Sequence, residues 1–172
     1  MKLISVLIAL FMSTVVALAK DGAKFVQTPY QAPFKAVVEF YFDEPEKIRP
    51  ALEWVSNIIY VLSREPYNFI PGEDIDIVVI IHGTEIVTLA KKNREKYRDV
   101  WERIEGMEMY GVKFKVCSMA AEQIYHYKPE DFPSFVELVP SAITELLHWQ
   151  QKGYALLIPR ILERKRSIEE IR

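Results

Sequence analysis

The chain has one cysteine, Cys117, and that scarcity closes off two classes at once. A single thiol cannot build a disulfide framework within the chain, and it cannot supply a cysteine-based zinc site. Glycine is scarce too, six in 172 residues. Neither G-x-G-x-x-G nor G-x-x-x-x-G-K-[ST] occurs, so the backbone cradles that hold nucleotide phosphates are missing. No G-x-S-x-G elbow occurs either, which disfavours ordinary serine-hydrolase chemistry. The three histidines, His82, His126 and His148, are scattered without metal-ligand spacing. No metal and no cofactor is therefore expected. A basic excess is lacking as well: 22 Lys and Arg stand against 24 Asp and Glu, a net charge of −2. That balance argues against a nucleic-acid partner, which would need cations to neutralise phosphates.

What is present is apolar. Half of the residues are hydrophobic and 12% aromatic, which excludes a disordered chain, and the length suits one domain with a proper core. The apolar residues are unevenly spread. Fifteen of the nineteen residues in Met1–Ala19 are apolar, with Lys2 as a positive start, Leu3–Val16 as the apolar stretch and Ala17-Leu18-Ala19 as a small-x-small cleavage pattern. This reads as a secretory signal peptide over residues 1–19, cut after Ala19. The mature protein is then expected to be periplasmic or secreted, with no membrane attachment after cleavage. The alternative is a retained anchor, because about seventeen apolar residues can just span a bilayer. No cysteine follows the cleavage site, so no lipoprotein is expected.

Along the mature chain, residues 20–34 read as an extended leader, 35–159 as the folded domain and 160–172 as a charged C-terminal tail. Five mostly apolar runs predict strands at 35–42, 74–81, 112–117, 135–139 and 154–158. Between them, 3–4 spacing of apolar residues predicts a helix from about Arg49 to before Pro66, one from about Asn93 to Gly111, and one from Pro140-Ser141 to Gly153. A short helical turn is expected over 85–90 and a helical stretch over 119–127. Pro50 is tolerable only if the first helix starts beside it, with residues 45–48 as a separate turn. Strands that alternate with helices and are apolar on both faces predict an α/β fold, a three-layer α/β/α sandwich around a five-stranded, mainly parallel sheet.

Ligands of open α/β sheets bind beyond the carboxyl ends of the strands. The side chains expected there are Asp43 and Glu44, His82 and Thr84, and Cys117 and Ser118. Cys117 lies where a strand hands over to a helix, so its sulfur should sit near backbone N–H groups whose dipoles favour thiolate. Two roles stay open for it: a reactive sulfur nucleophile, or a buried inert side chain. An unpaired thiol in an oxidising compartment is a liability unless buried, modified or used. His82 could orient or protonate the sulfur or its substrate, or simply cap a strand.

The ordered set Val78-Val79-Ile80-Ile81-His82-Gly83, Gly111–Cys117, Val139–Leu147 and Gln151–Ala155, with Asn57 in the first helix, resembles the DsrE/DsrF-like family. It is similar in particular to an exported branch described as intracellular-sulfur-oxidation-like. The resemblance covers residues 35–159. It implies a sheet of order 4-3-2-1-5, assembly as a homo-oligomer (trimer or hexamer), and a sulfur carrier or sulfurtransferase-like role between donor and acceptor proteins. The position matching the family's persulfide cysteine is Cys117, and the implied strand order brings His82 near it. The rival expectation is a non-catalytic oligomeric binding module in which Cys117 only packs. A thiol redox enzyme is the weakest of the three, because this chain lacks a resolving cysteine.

Overall fold

Two mostly apolar runs form the centre of the sheet, the second rich in Val and Ile. Phe34–Phe40 is β1 and Ile75–Ile81 is β2, paired in parallel from Phe34 opposite Ile75 to Phe40 opposite Ile81. Their Val and Ile side chains are stiff at χ1 and pack well on a pleated surface. β3 (Lys113–Cys117) pairs with the far side of β2, β4 (Val136–Val139) pairs with β3, and β5 (Ala155–Leu157) returns to the free side of β1. The sheet is therefore five-stranded and all parallel, in the order β4-β3-β2-β1-β5. The computed structural model describes residues 22–172; the expected signal peptide over 1–19 lies outside them.

The helices follow the strands. A single 3-10 turn at Pro45–Lys47 precedes α1 (Ile48–Leu62), so Pro50 falls in the first helical turn, where an N–H would have no helical partner. Ile48, Ala51, Leu52, Val55 and Leu62 form its buried stripe. The short α2 (Ile86–Leu89) comes next, then α3 (Arg98–Met109), which packs against α1 and buries Val100, Trp101, Ile104 and Met107. α3 starts later than the apolar spacing predicts. Lys91–Asn93 form a 3-10 turn instead, and the Asn93 side-chain amide donates to the Val87 carbonyl at 2.8 Å, tying that segment to α2.

α4 (Ser118–Gln123) is shorter than expected for a different reason. His126 has a left-handed backbone, φ 56°, and the Tyr127 N–H turns back to the Ala121 carbonyl, which closes the helix end. α5 is Ala142–Gln151, and α6, Ile168–Ile171, lies within the C-terminal segment.

The expectation that the strands are apolar on both faces needs correction. Successive side chains alternate across the sheet. Phe40, Ile77, Val79, Ile81, Phe114 and Val116 share one face and are buried. The opposite face carries Glu39, Asp76, Lys113, Lys115 and Glu137 among its apolar residues, and α5 lies on it. Polar groups fasten that helix down. Buried Lys115 bonds to Glu137 and sits 3.8 Å from Glu145 of α5, Trp149 donates to Glu145 at 2.8 Å, and the Tyr154 hydroxyl donates to Asp76. Asp76 pairs with Lys113, Lys115 pairs with Glu137, Glu39 bonds to His82, and Lys35 lies over the Tyr154 ring, so the polar groups on this face are partnered where they are covered.

Candidate functional site

The register places three residues in one row at the carboxyl edge of the sheet. Phe40 lies opposite Ile81 and Ile81 opposite Val116, so the next position on each strand brings Tyr41, His82 and Cys117 side by side, with His82 in the middle. Neighbouring strands are about 4.8 Å apart. All three lie on the α5 face, two residues beyond Glu39 and Lys115.

His82 is held on two sides. Its ring stacks on Tyr41, with centroids 4.6 Å apart and planes 14° apart, and its Nε2 is 2.9 Å from Glu39 Oε1. The two side chains of that bond are only 11% and 17% exposed. With Nε2 directed at a carboxylate, the neutral imidazole carries its proton there and presents Nδ1 as an acceptor.

A cleft of about 370 Å³ opens over this edge, lined chiefly by Tyr41, Phe42, Asp43, His82, Thr84 and Tyr125. Lys47 bonds to Asp43 at 2.5 Å and holds its carboxyl below the usual carboxylate range. Burial pushes the Tyr125 phenol upward, and the charge on Glu85 adds to that.

Glu85 lies beneath the cleft and is wholly buried. Its Oε1 accepts the N–H groups of Gly83 at 2.8 Å and His82 at 3.2 Å, and its Oε2 accepts that of Phe42 at 3.0 Å. One carboxylate thus joins the end of β1 to the end of β2. Burial raises its pKa from 4.5 to about 7, against the lowering effect of those three bonds. Gly83 is required by this packing. A Cβ there would lie 2.4 Å from Phe42 N and 2.6 Å from Glu85 Oε2.

Cys117 ends β3 and occupies the N-cap position of α4, as its place in the sequence predicts. Its side chain makes no capping hydrogen bond, and the residue is 6% exposed. His82 lines the cleft and Cys117 does not; Cys117 lies on β3, on the side of β2 opposite to β1 and Tyr41. His126 and His148 are exposed and separate from the row. Asn57 faces a depression with Tyr30 and Phe34, at the end of β1 opposite to Tyr41. Among the described residues, no group of three or more His, Cys, Asp or Glu side chains is placed to hold a metal ion, and no helix is long and apolar enough to cross a membrane.

Sequence reasoning missed Glu39, Tyr41 and Glu85. Glu39 is the one charge inside Val37–Phe42, and a lone acid in an apolar strand asks for a buried partner. Glu85 carried a similar signal, an acid between Gly83-Thr84 and the apolar Ile86-Val87.

The chain is an all-parallel α/β domain with an open cleft at the carboxyl edge of its sheet. Within that fold class the chain belongs to the DsrE/DsrF-like family, whose model matches residues 56–159. A protein of unknown function, MTH1491 from Methanobacterium thermoautotrophicum, is similar in fold, with a TM-score of 0.58 and 17% identity over 73% of this chain and 99% of that one. A conserved protein of unknown function, BT1422 from Bacteroides thetaiotaomicron, aligns with a TM-score of 0.47 and 13% identity over 73% and 94% of the two chains. No curated protein matches the chain significantly.

Proposed function

We propose that this is an exported sulfur-handling protein, periplasmic or secreted, in which Cys117 accepts a sulfane sulfur as a persulfide and passes it on. The observation that carries this reading is the Tyr41–His82–Cys117 row: a lone thiol in register beside an imidazole that Glu39 and Tyr41 hold in place. Family membership points the same way, toward sulfur relay. His82 Nδ1 takes the thiol proton, and the thiolate attacks the outer sulfur of a donor such as thiosulfate. A new S–S bond forms at Cys117 Sγ, the donor's S–S bond breaks, and sulfite leaves with the electron pair. An acceptor thiolate then attacks the outer sulfur of the persulfide and regenerates the Cys117 thiolate.

The homo-oligomer that the resemblance implies, a trimer or hexamer, is part of this proposal. Exposed Tyr41, Met119 and Ile124 border the site, and Ile143 and Leu147 lie exposed on α5; such residues suit contacts with further copies or with donor and acceptor proteins.

One observation favours a second reading, a binding module in which Cys117 only packs. The residue is almost wholly buried and does not line the cleft. Mass spectrometry after incubation with thiosulfate or polysulfide separates the two. Sulfur relay predicts a gain of roughly 32 Da on Cys117, reversed by dithiothreitol. A folded protein whose Cys117 takes up neither sulfur nor an alkylating agent refutes it, and Cys117→Ala then leaves ligand or partner binding intact.

A further inference from the structure

Glu85 has no part in the sulfur chemistry proposed above, yet every bond it makes ends on a residue that shapes the site. It is fully buried, and among the described residues its side-chain carboxylate is bonded only to backbone N–H groups, those of His82, Gly83 and Phe42. The His82 N–H is shared with the Phe40 carbonyl at 3.0 Å, and the Thr84 N–H and hydroxyl both donate to the Phe42 carbonyl at 3.0 Å. The two strand ends are therefore laced together around this one carboxylate. No side chain can be added at Gly83 to fill in for it, since a Cβ there meets the backbone of Phe42.

We propose that Glu85 is the positioning residue of the site, carrying changes in its own protonation to the His82 imidazole and to the Phe42 wall of the cleft through these three N–H groups. An ionised carboxylate is a stronger acceptor than a carboxylic acid, and bonds to a charged partner are shorter and roughly twice as strong. When Glu85 takes a proton, its grip on Phe42, His82 and Gly83 slackens together. When it loses the proton, the edges of β1 and β2 draw in, and His82 moves with its main chain between Tyr41 and Cys117.

Other titratable groups surround it. The His82 ring comes from the end of β2, bonded to Glu39 of β1. Tyr41 and the Asp43–Lys47 pair follow β1, and Glu46 lies in the turn against which α2 packs. Tyr125 follows α4 and feels the charge on Glu85. Asp43 is ionised throughout the neutral range, paired with Lys47. His82 shares its own backbone N–H with Glu85 and carries a titratable ring, so the test must separate the two groups.

The experiment follows the backbone amide resonances of Phe42, His82 and Gly83 in the full chain from pH 5.5 to 8.5, in wild type, Glu85→Gln and His82→Gln. The expected result is one shared titration step near neutral pH at all three amides, retained at Phe42 in His82→Gln and abolished in Glu85→Gln. A Phe42 step that vanishes in His82→Gln assigns the proton to the imidazole and overturns the proposal, as do three amides that titrate independently or not at all. If Glu85→Gln does not fold, wild type and His82→Gln still decide the matter.

A second arm, which rests on the sulfur-relay reading, measures the rate of Cys117 alkylation and of sulfur loading against pH. The expected profile carries the same step in wild type, and Glu85→Gln flattens it. Amides that titrate together in a protein whose Cys117 never loads sulfur leave Glu85 as the positioning residue of the cleft and remove the relay. Loading that proceeds with no shared amide step removes Glu85 and leaves the relay.

Discussion

Replacing Gly83 with alanine drives a methyl group into the backbone of β1. The added Cβ would sit 2.4 Å from Phe42 N and 2.7 Å from Phe42 O, where ordinary contact begins at 3.4 Å. The shortfall is about 1 Å, and the obstacle is main chain in the middle of a packed edge, so it cannot rotate away. Gly83 is not in the left-handed region, so the cost is contact rather than conformation.

If the end of β1 retreats by that distance, the bonds from Thr84 N and Thr84 Oγ1 to the Phe42 carbonyl and from Phe42 N to Glu85, all 3.0 Å long, stretch beyond hydrogen-bond range. Three such bonds are worth about 1 kcal/mol each, and leaving Glu85 partly unsatisfied adds about 1–2 kcal/mol. The expected loss is about 4 kcal/mol, a large share of the 5–15 kcal/mol typical of a whole domain. With an m-value of about 2 kcal/mol/M, the urea midpoint falls by about 2 M. Gly106→Ala in α3 is the control. No atom lies within 4 Å of its added Cβ, and the helix should gain about 0.5–1 kcal/mol. Gly83→Ala within 1 kcal/mol of wild type would refute the account of this edge.

Two further outcomes follow from the buried polar groups. Glu85 has a folded-state pKa of about 7, above its ordinary 4.5, so its contribution to stability is fully present below pH 4.5 and is lost as pH rises to about 7. A shift of that size corresponds to about 3 kcal/mol, and urea unfolding at pH 4.5 and pH 8 should show Glu85→Gln lacking that part of the slope; equal slopes in the two proteins would count against it. Tyr154→Phe removes a hydroxyl that donates to Asp76, a carboxylate that Lys113 also holds at 2.8 Å. Burial and the neighbouring Asp76 charge push that phenol well above the usual tyrosine range. Loss of the bond should cost about 2 kcal/mol, read as a lower midpoint at pH 7, and the deficit should shrink at acid pH as Asp76 protonates.

The parallel architecture was readable because it rests on repeated signals: five apolar runs of strand length, separated by helical spacing and punctuated by Gly and Pro. The strand ends were readable for the same reason, and so Cys117 and His82 could be placed at them. What the one-dimensional pattern concealed was pairing across strands. Glu39 and His82 are 43 positions apart, as are Phe42 and Glu85, and no periodicity links such residues. The two helix boundaries that differed were set by single side-chain and backbone events, the Asn93 amide on Val87 and the left-handed His126, which carry no hydrophobic signal. The polar face under α5 was misread because Lys113 and Lys115 alternate with Phe114 in a strand whose apolar members dominate its composition.

That polar face bears directly on the site. A sheet greasy on both sides would fix its strands by burial alone, leaving the carboxyl edge free to settle wherever packing allowed. Here the α5 face is pinned by directional bonds, Lys115 to Glu137 and Glu145 within one row and Glu39 of the same row to His82 of the next. Hydrogen bonds and ion pairs lose strength steeply with distance and angle, whereas apolar burial is non-directional, so the charged rows resist sliding of β1 against β2 and of β3 against β4. The row beyond them, Tyr41–His82–Cys117, inherits that register. An edge that holds a fixed row of side chains gains more from directional restraint just behind that row than from additional apolar burial, and the unexpected charges of this sheet stand in that position.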